Sequence, residues 1–160
     1  MTVTNTVKAV IQHTDESVRY RINPLEEIRI KVSGKDTNDA YCVIEHRGEP
    51  DAGPPLHLHK EIDEIFEVIE GRIGFYLDGE LITAGPGTTV AIPRNMPHTW
   101  RNIGNTQSRM VVTFIPGGTD RFFEEVEGVL HEDSRAALLA EKFDTIYLGS
   151  PIGPEAWVRD

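Results

Sequence analysis

The chain has 160 residues, of which 39% are apolar and 26% charged, with a formal net charge of −10. That length fits one domain with one core. The acidic balance, with Lys and Arg scattered along the chain, excludes the basic face that phosphate binding needs, so neither nucleic acid nor an anionic membrane surface is an expected partner.

Residues 1–17 are polar and read as partly frayed. Short β-rich runs begin at Val18. Residues 18–22 alternate, and Ile28, Ile30 and Val32 share one strand face. Residues 33–39 form a loop by composition and 40–47 another strand, in which Cys42 reads as an inert, half-buried thiol. Gly48, Pro50, Gly53, Pro54 and Pro55 make 48–55 irregular. Two strands, 61–70 and 72–77, break at Gly71, and Asp78-Gly79 signals a tight hairpin into 81–84. Gly85-Pro86-Gly87 is a turn, and 88–92, 98–103 and 109–115 complete the series. Strands recurring at such short intervals fit a sandwich or closed barrel, as do 14 Gly and 10 Pro. After Pro116 the pattern becomes helical. Thr119 or Asp120 can cap a helix over 121–126, and Asp133 or Ser134 a second carrying Ala136, Leu139, Ala140 and Phe143. The tail from Tyr147 is expected to be extended.

Chemistry concentrates in two segments. His57 and His59 stand at i and i+2 and so project to one strand face, where two imidazoles can hold one metal ion. Four residues separate His59 from Glu64, whose carboxylate reaches the same point if the chain bends; six more precede Gly71. This spacing matches the first motif of the cupin superfamily. The second motif of that family is matched by Gly87, Pro93, His98 and Asn102, with Asn95 standing where the family usually has glycine. Asn is the non-glycine residue that best tolerates the positive φ such a turn requires. The resemblance covers about residues 28–115. It implies a metal centre of His57, His59, Glu64 and His98, with two coordination positions left for water, dioxygen or substrate. Three imidazoles and one carboxylate suit one divalent transition metal among Fe, Mn, Ni, Co and Zn. His13, His46 and His131 have no motif partners and read as surface or strand histidines.

The fold expected from the resemblance is all-β, a double-stranded β-helix (the cupin jelly-roll barrel) with one or two short C-terminal helices. The chain reads as a single domain over 1–160. Its N-terminal strands lie at 18–47, its conserved barrel at about 40–116, a helical extension at 119–143 and an extended tail at 147–160. Alternation predicts Phe66 and Trp100 beside the metal. Phe75, Tyr41 and Phe114 are further pocket candidates, although a small barrel also needs such residues simply as filling. Phe114-Ile115-Pro116-Gly117-Gly118 followed by Asp120-Arg121-Phe122-Phe123 resembles single-domain bacterial cupins related to quercetin 2,3-dioxygenase. That resemblance implies a metal-dependent dioxygenase of an aromatic or enolic small molecule, with Glu64 as both ligand and proton acceptor. The alternatives are a non-catalytic small-molecule-binding cupin and a metal-dependent isomerase, cyclase or lyase. A homodimer is expected, because the strands before Tyr41 otherwise present open edges. The first ten residues have neither the basic nor the apolar stretch of a signal peptide, so a cytoplasmic protein is expected.

Overall fold

The computed structural model describes residues 7–129 and 134–157; the expected fraying of 1–6, the cap at Asp133, His131 and the last three tail residues lie outside them. Among the described residues, eleven strands and two α-helices follow in chain order, besides three single-turn 3-10 helices: β1 (Arg19–Asn23), β2 (Glu26–Val32), β3 (Cys42–Gly48), β4 (His57–Leu58), β5 (Asp63–Glu70), β6 (Ile73–Leu77), β7 (Glu80–Ala84), β8 (Thr89–Ile92), β9 (His98–Asn102), β10 (Ser108–Ile115), α1 (Thr119–Val126), α2 (Ser134–Lys142) and β11 (Ile146–Tyr147).

The strands form two antiparallel sheets, ordered β1-β2-β3-β10-β5-β8 and β11-β4-β9-β6-β7. Inner-face residues come from strict alternation. On β5 these are Glu64, Phe66 and Val68, and on β10 they are Met110, Val112 and Phe114. Phe66 lies opposite Val112, and Phe75 opposite Trp100, so the aromatic residues interdigitate between the sheets. This is the expected cupin β-barrel with two short helices.

Local chemistry explains the corners. Asp78 and Gly79 both have positive φ, as the tight hairpin between β6 and β7 requires. Asn95 has φ +68, so it adopts the glycine-like conformation expected at that motif position. Its backbone N–H donates to the His59 carbonyl at 2.6 Å, which ties the turn before His98 to the segment after His59. The first helix begins at Thr119 after Gly118, so Asp120 lies inside the first turn. Its carboxylate accepts from Ser33 Oγ and the Gly34 N–H and fastens α1 to the loop before β3.

One expected strand face is reversed. Tyr41 precedes β3 and is 43% exposed, whereas Cys42, Ile44 and His46 face inward. Inner strand β3 is covered on both sides, with Glu45 buried under Arg47 and Arg109, so alternation carried little signal there. Cys42 is fully buried rather than half-buried, and that burial pushes its thiol up to about 12.

Candidate metal centre

His57, His59, Glu64 and His98 are all buried, and each offers a ligand atom lying within 4.8 Å of the others. Topology brings them together. His57 on β4 pairs directly with His98 on β9, while Glu64 comes across from β5 of the other sheet. Each imidazole is oriented from behind. Nδ1 of His57 donates to the Pro55 carbonyl at 2.7 Å, that of His59 to Asp144 at 3.0 Å, and that of His98 to Met96 at 2.8 Å. A carbonyl only accepts, so each Nδ1 carries a proton, and Nε2 of each imidazole in its neutral form is a lone pair facing the cluster.

Those lone pairs test whether a metal fits. Glu64 Oε2 lies 2.9 Å from His98 Nε2 and 3.2 Å from His59 Nε2, and the His59 contact lacks hydrogen-bond geometry. His59 Nε2 is thus a buried polar atom without a hydrogen-bond partner. Four electron-pair donors crowded around one point are mutually repulsive unless a cation sits among them. The donor set fits one divalent transition metal and does not choose among Fe, Mn, Co, Ni and Zn.

Titration directions differ among the clustered groups. Burial, helped by the neighbouring His98 and His59 rings, pushes His57 down to about 3 and keeps it neutral. Burial pulls Glu64 upward, but the His59 and His98 imidazoles outweigh it and hold the carboxyl well below the usual carboxylate range. For His59 burial acts downward, and its contact with Glu64 prevails and raises it.

His57, His59 and Glu64 open onto a cavity of about 80 Å³ that continues through its mouth into solvent. His98 sits behind them at 1% exposure. Of the expected pocket residues, Phe66, Trp100 and Phe114 line this cavity. Phe75 does not. It is wholly buried behind Phe66, edge to face with ring centroids 5.3 Å apart. Tyr41 is remote from the wall for the reason given above. Phe122 and Phe123 of α1 do line the cavity, so that helix packs against the barrel.

Several wall residues carried no sequence signal. His46 was expected to be an ordinary strand or surface histidine, but it is buried, lines the cavity and lies 3.0 Å from Glu26 through Nε2. Tyr147 and Thr145 close the cavity from the segment after α2. Burial, and then the charge of Glu26, push the Tyr147 phenol up to about 12. Asp144 supports the His59 loop twice over: its carbonyl accepts from His59, and its carboxylate accepts from the Lys60 and Glu61 N–H groups. No short-range pattern announces such contacts, because they join residues more than 80 positions apart. His13 is exposed and is not among the residues lining the cavity.

Comparisons with known proteins agree with the geometry. The family described as "Cupin domain" matches residues 46–114. Quercetin 2,3-dioxygenase of Bacillus subtilis (strain 168) is 28% identical over 95 residues, covering 59% of this chain and 28% of that protein. Polyketide synthase CurC of Streptomyces cyaneus is 37% identical over 60 residues, covering 38% of this chain and 39% of its own. The matched segments therefore span less than half the length of these curated relatives. The solved structure of KdgF from Halomonas sp. superposes with a TM-score of 0.64 at 18% identity, over 71% of this chain and 99% of that one, which speaks for the fold alone. The two motifs and the four clustered residues lie within that segment, so residues 46–114 match a cupin domain inside a cupin-like fold.

Proposed function

We propose that the protein is a metal-dependent dioxygenase acting on an aromatic or enolic small molecule. The observation that carries this reading is the placement of a His57–His59–Glu64–His98 cluster in the wall of a cavity lined by Phe66, Trp100, Phe114, Phe122 and Phe123. Aromatic walls bind flat apolar rings, and the cluster marks the place where an oxygen substituent of the ring belongs. A bound divalent metal supplies Lewis acidity toward such an oxygen and access to dioxygen. Glu64 is ionised at neutral pH and stands at that end of the cavity, where it accepts the proton of a substrate hydroxyl. The similarity to quercetin 2,3-dioxygenase supports this choice of chemistry.

A second reading is a metal-dependent cyclase, isomerase or lyase that needs no oxidant. It draws on the 37% identity to polyketide synthase CurC. Oxygen-electrode assays of protein loaded separately with Fe, Mn, Ni and Co, against flavonols and small enediols, separate the two. Uptake that depends on the metal supports the dioxygenase. Conversion of a polyketide-like substrate without uptake transfers the assignment to the second reading. Binding of substrates with no conversion under any metal contradicts both and leaves a non-catalytic binder.

A further inference from the structure

Outside the ligand cluster, the cavity wall contains a second polar station. His46 projects inward from β3 and is 4% exposed. Its Nε2 lies 3.0 Å from Glu26 Oε1, and Glu26 is itself 3% exposed. The other carboxylate oxygen accepts from the Asn23 side-chain amide, whose own oxygen accepts from the Leu25 N–H. Glu26 is therefore fixed from both sides. On the far side of the imidazole, the Trp100 ring meets it edge-on with centroids 4.5 Å apart. Gly48 leaves room for the ring, since a Cβ there would stand 3.1 Å from His46 Cε1.

This setting defines the tautomer. A carboxylate accepts, so Nε2–H donates to Glu26, and in the neutral imidazole Nδ1 is then a lone pair. That Nδ1 is buried and has no hydrogen-bond partner. The hydroxyl of Thr119, also in the cavity wall, is likewise buried without one. An enclosed acceptor with nothing to accept from is destabilising, and native proteins seldom keep one without a reason. The ligand cluster does not explain it, because His46 and Glu26 belong to neither motif and to no part of the cluster.

We propose that Glu26 and His46 form a specificity-determining pair whose Nδ1 accepts a hydrogen bond from a hydroxyl of the bound molecule. The ligand class is then a compact aromatic or enolic compound with two oxygen functions, one for the His57–His59–Glu64 end of the cavity and one for His46. A site built to pair with a hydroxyl discriminates strongly against the analogue that lacks it, because the buried acceptor is then left unpaired. The assignment of the first oxygen rests on the proposed function; that of the second rests on the Glu26–His46 geometry.

Calorimetry with dihydroxynaphthalene isomers and mononaphthols as probes tests this on the metal-loaded full chain. At least one diol is expected to bind roughly tenfold more tightly than either mononaphthol. His46→Phe is expected to erase that preference while leaving the metal content unchanged. Glu26→Gln, which disturbs the carboxylate without emptying the wall, is expected to weaken it. Nitrogen-15 NMR of unaltered protein supplies a readout independent of any variant: the His46 ring should carry its proton on Nε2, and its Nδ1 resonance should shift when the preferred diol binds. No diol preference, a preference that survives His46→Phe, or a proton resident on Nδ1 overturns the proposal. Oxygen-uptake assays fail or succeed separately. Absent uptake with an intact, His46-dependent diol preference counts against the dioxygenase alone.

Discussion

Three imidazoles and a carboxylate converging within 4.8 Å are arranged for a cation by the groups behind them. The carbonyls of Pro55, Asp144 and Met96 fix the tautomers, so the backbone selects which nitrogen faces inward. Asp144 is the most testable of these supports. Asp144→Ala removes the acceptor of two loop N–H groups and places a Cβ-bearing residue without a polar tip at φ +61. Metal affinity is expected to fall about 10–100-fold in chelator competition, with the barrel still folded. Protonation gives a second test at this scale. His57 titrates near 3 when folded against its ordinary 6.5, so the unfolded chain takes the proton first as the pH falls. Glu64, held below its ordinary 4.5, contributes with the same sign at lower pH. His59 is raised, so its contribution is complete below 6.5 and declines only above it. Urea midpoints of metal-free protein should therefore drop steadily from about pH 6.5 to about pH 4. A flat or rising profile contradicts the assignment of a neutral, buried His57. The four clustered residues were legible in the sequence because local spacing expresses them. His46, Glu26 and Asp144 were not, because each acts through a partner far along the chain.

At the level of elements, register does most of the positioning. Pairing of His57 with His98 and of Glu64 with Phe114 places ligands and aromatic wall side by side. The turn at Asn95 holds that register through its bond to His59. Asn95→Gly is expected to fold normally, whereas Asn95→Val forces a β-branched residue to φ +68 and should cost about 1–2 kcal/mol in chemical denaturation. Another contact of this kind joins the tail to the barrel. Trp157 is buried in the space left by the missing side chain of Gly74 on β6. Gly74→Ala is expected to displace the indole, lower stability by about 1–3 kcal/mol and shift tryptophan emission to the red. Alternation put Phe66, Trp100 and Phe114 on inward faces, and all three line the cavity because one face of each strand points at it. It failed at Tyr41, where both faces of β3 are covered and the periodic signal vanishes. Phe75 was assigned to the right face but to the wrong depth, since periodicity specifies a direction and not a distance from the cavity.

For the whole molecule, the two sheets and α1 enclose a cavity with the ligand cluster at one part of its wall and the Glu26–His46 pair at another. No helix among the described residues is long and apolar enough to cross a membrane. Strand β1 forms one edge of the six-stranded sheet, and Val18 beside it is 55% exposed. We propose that this edge pairs with a second copy, which predicts a dimer mass in light scattering at micromolar concentration; a monomer mass rejects it. The most direct test of the account is metal stoichiometry of protein purified without added metal and then titrated with cobalt(II), alongside His98→Ala. The account predicts one ion per chain in the unaltered protein, a rise in melting temperature on loading, and loss of both in the variant. Unaltered protein that takes up no ion, or a variant that binds as well as the parent, contradicts it.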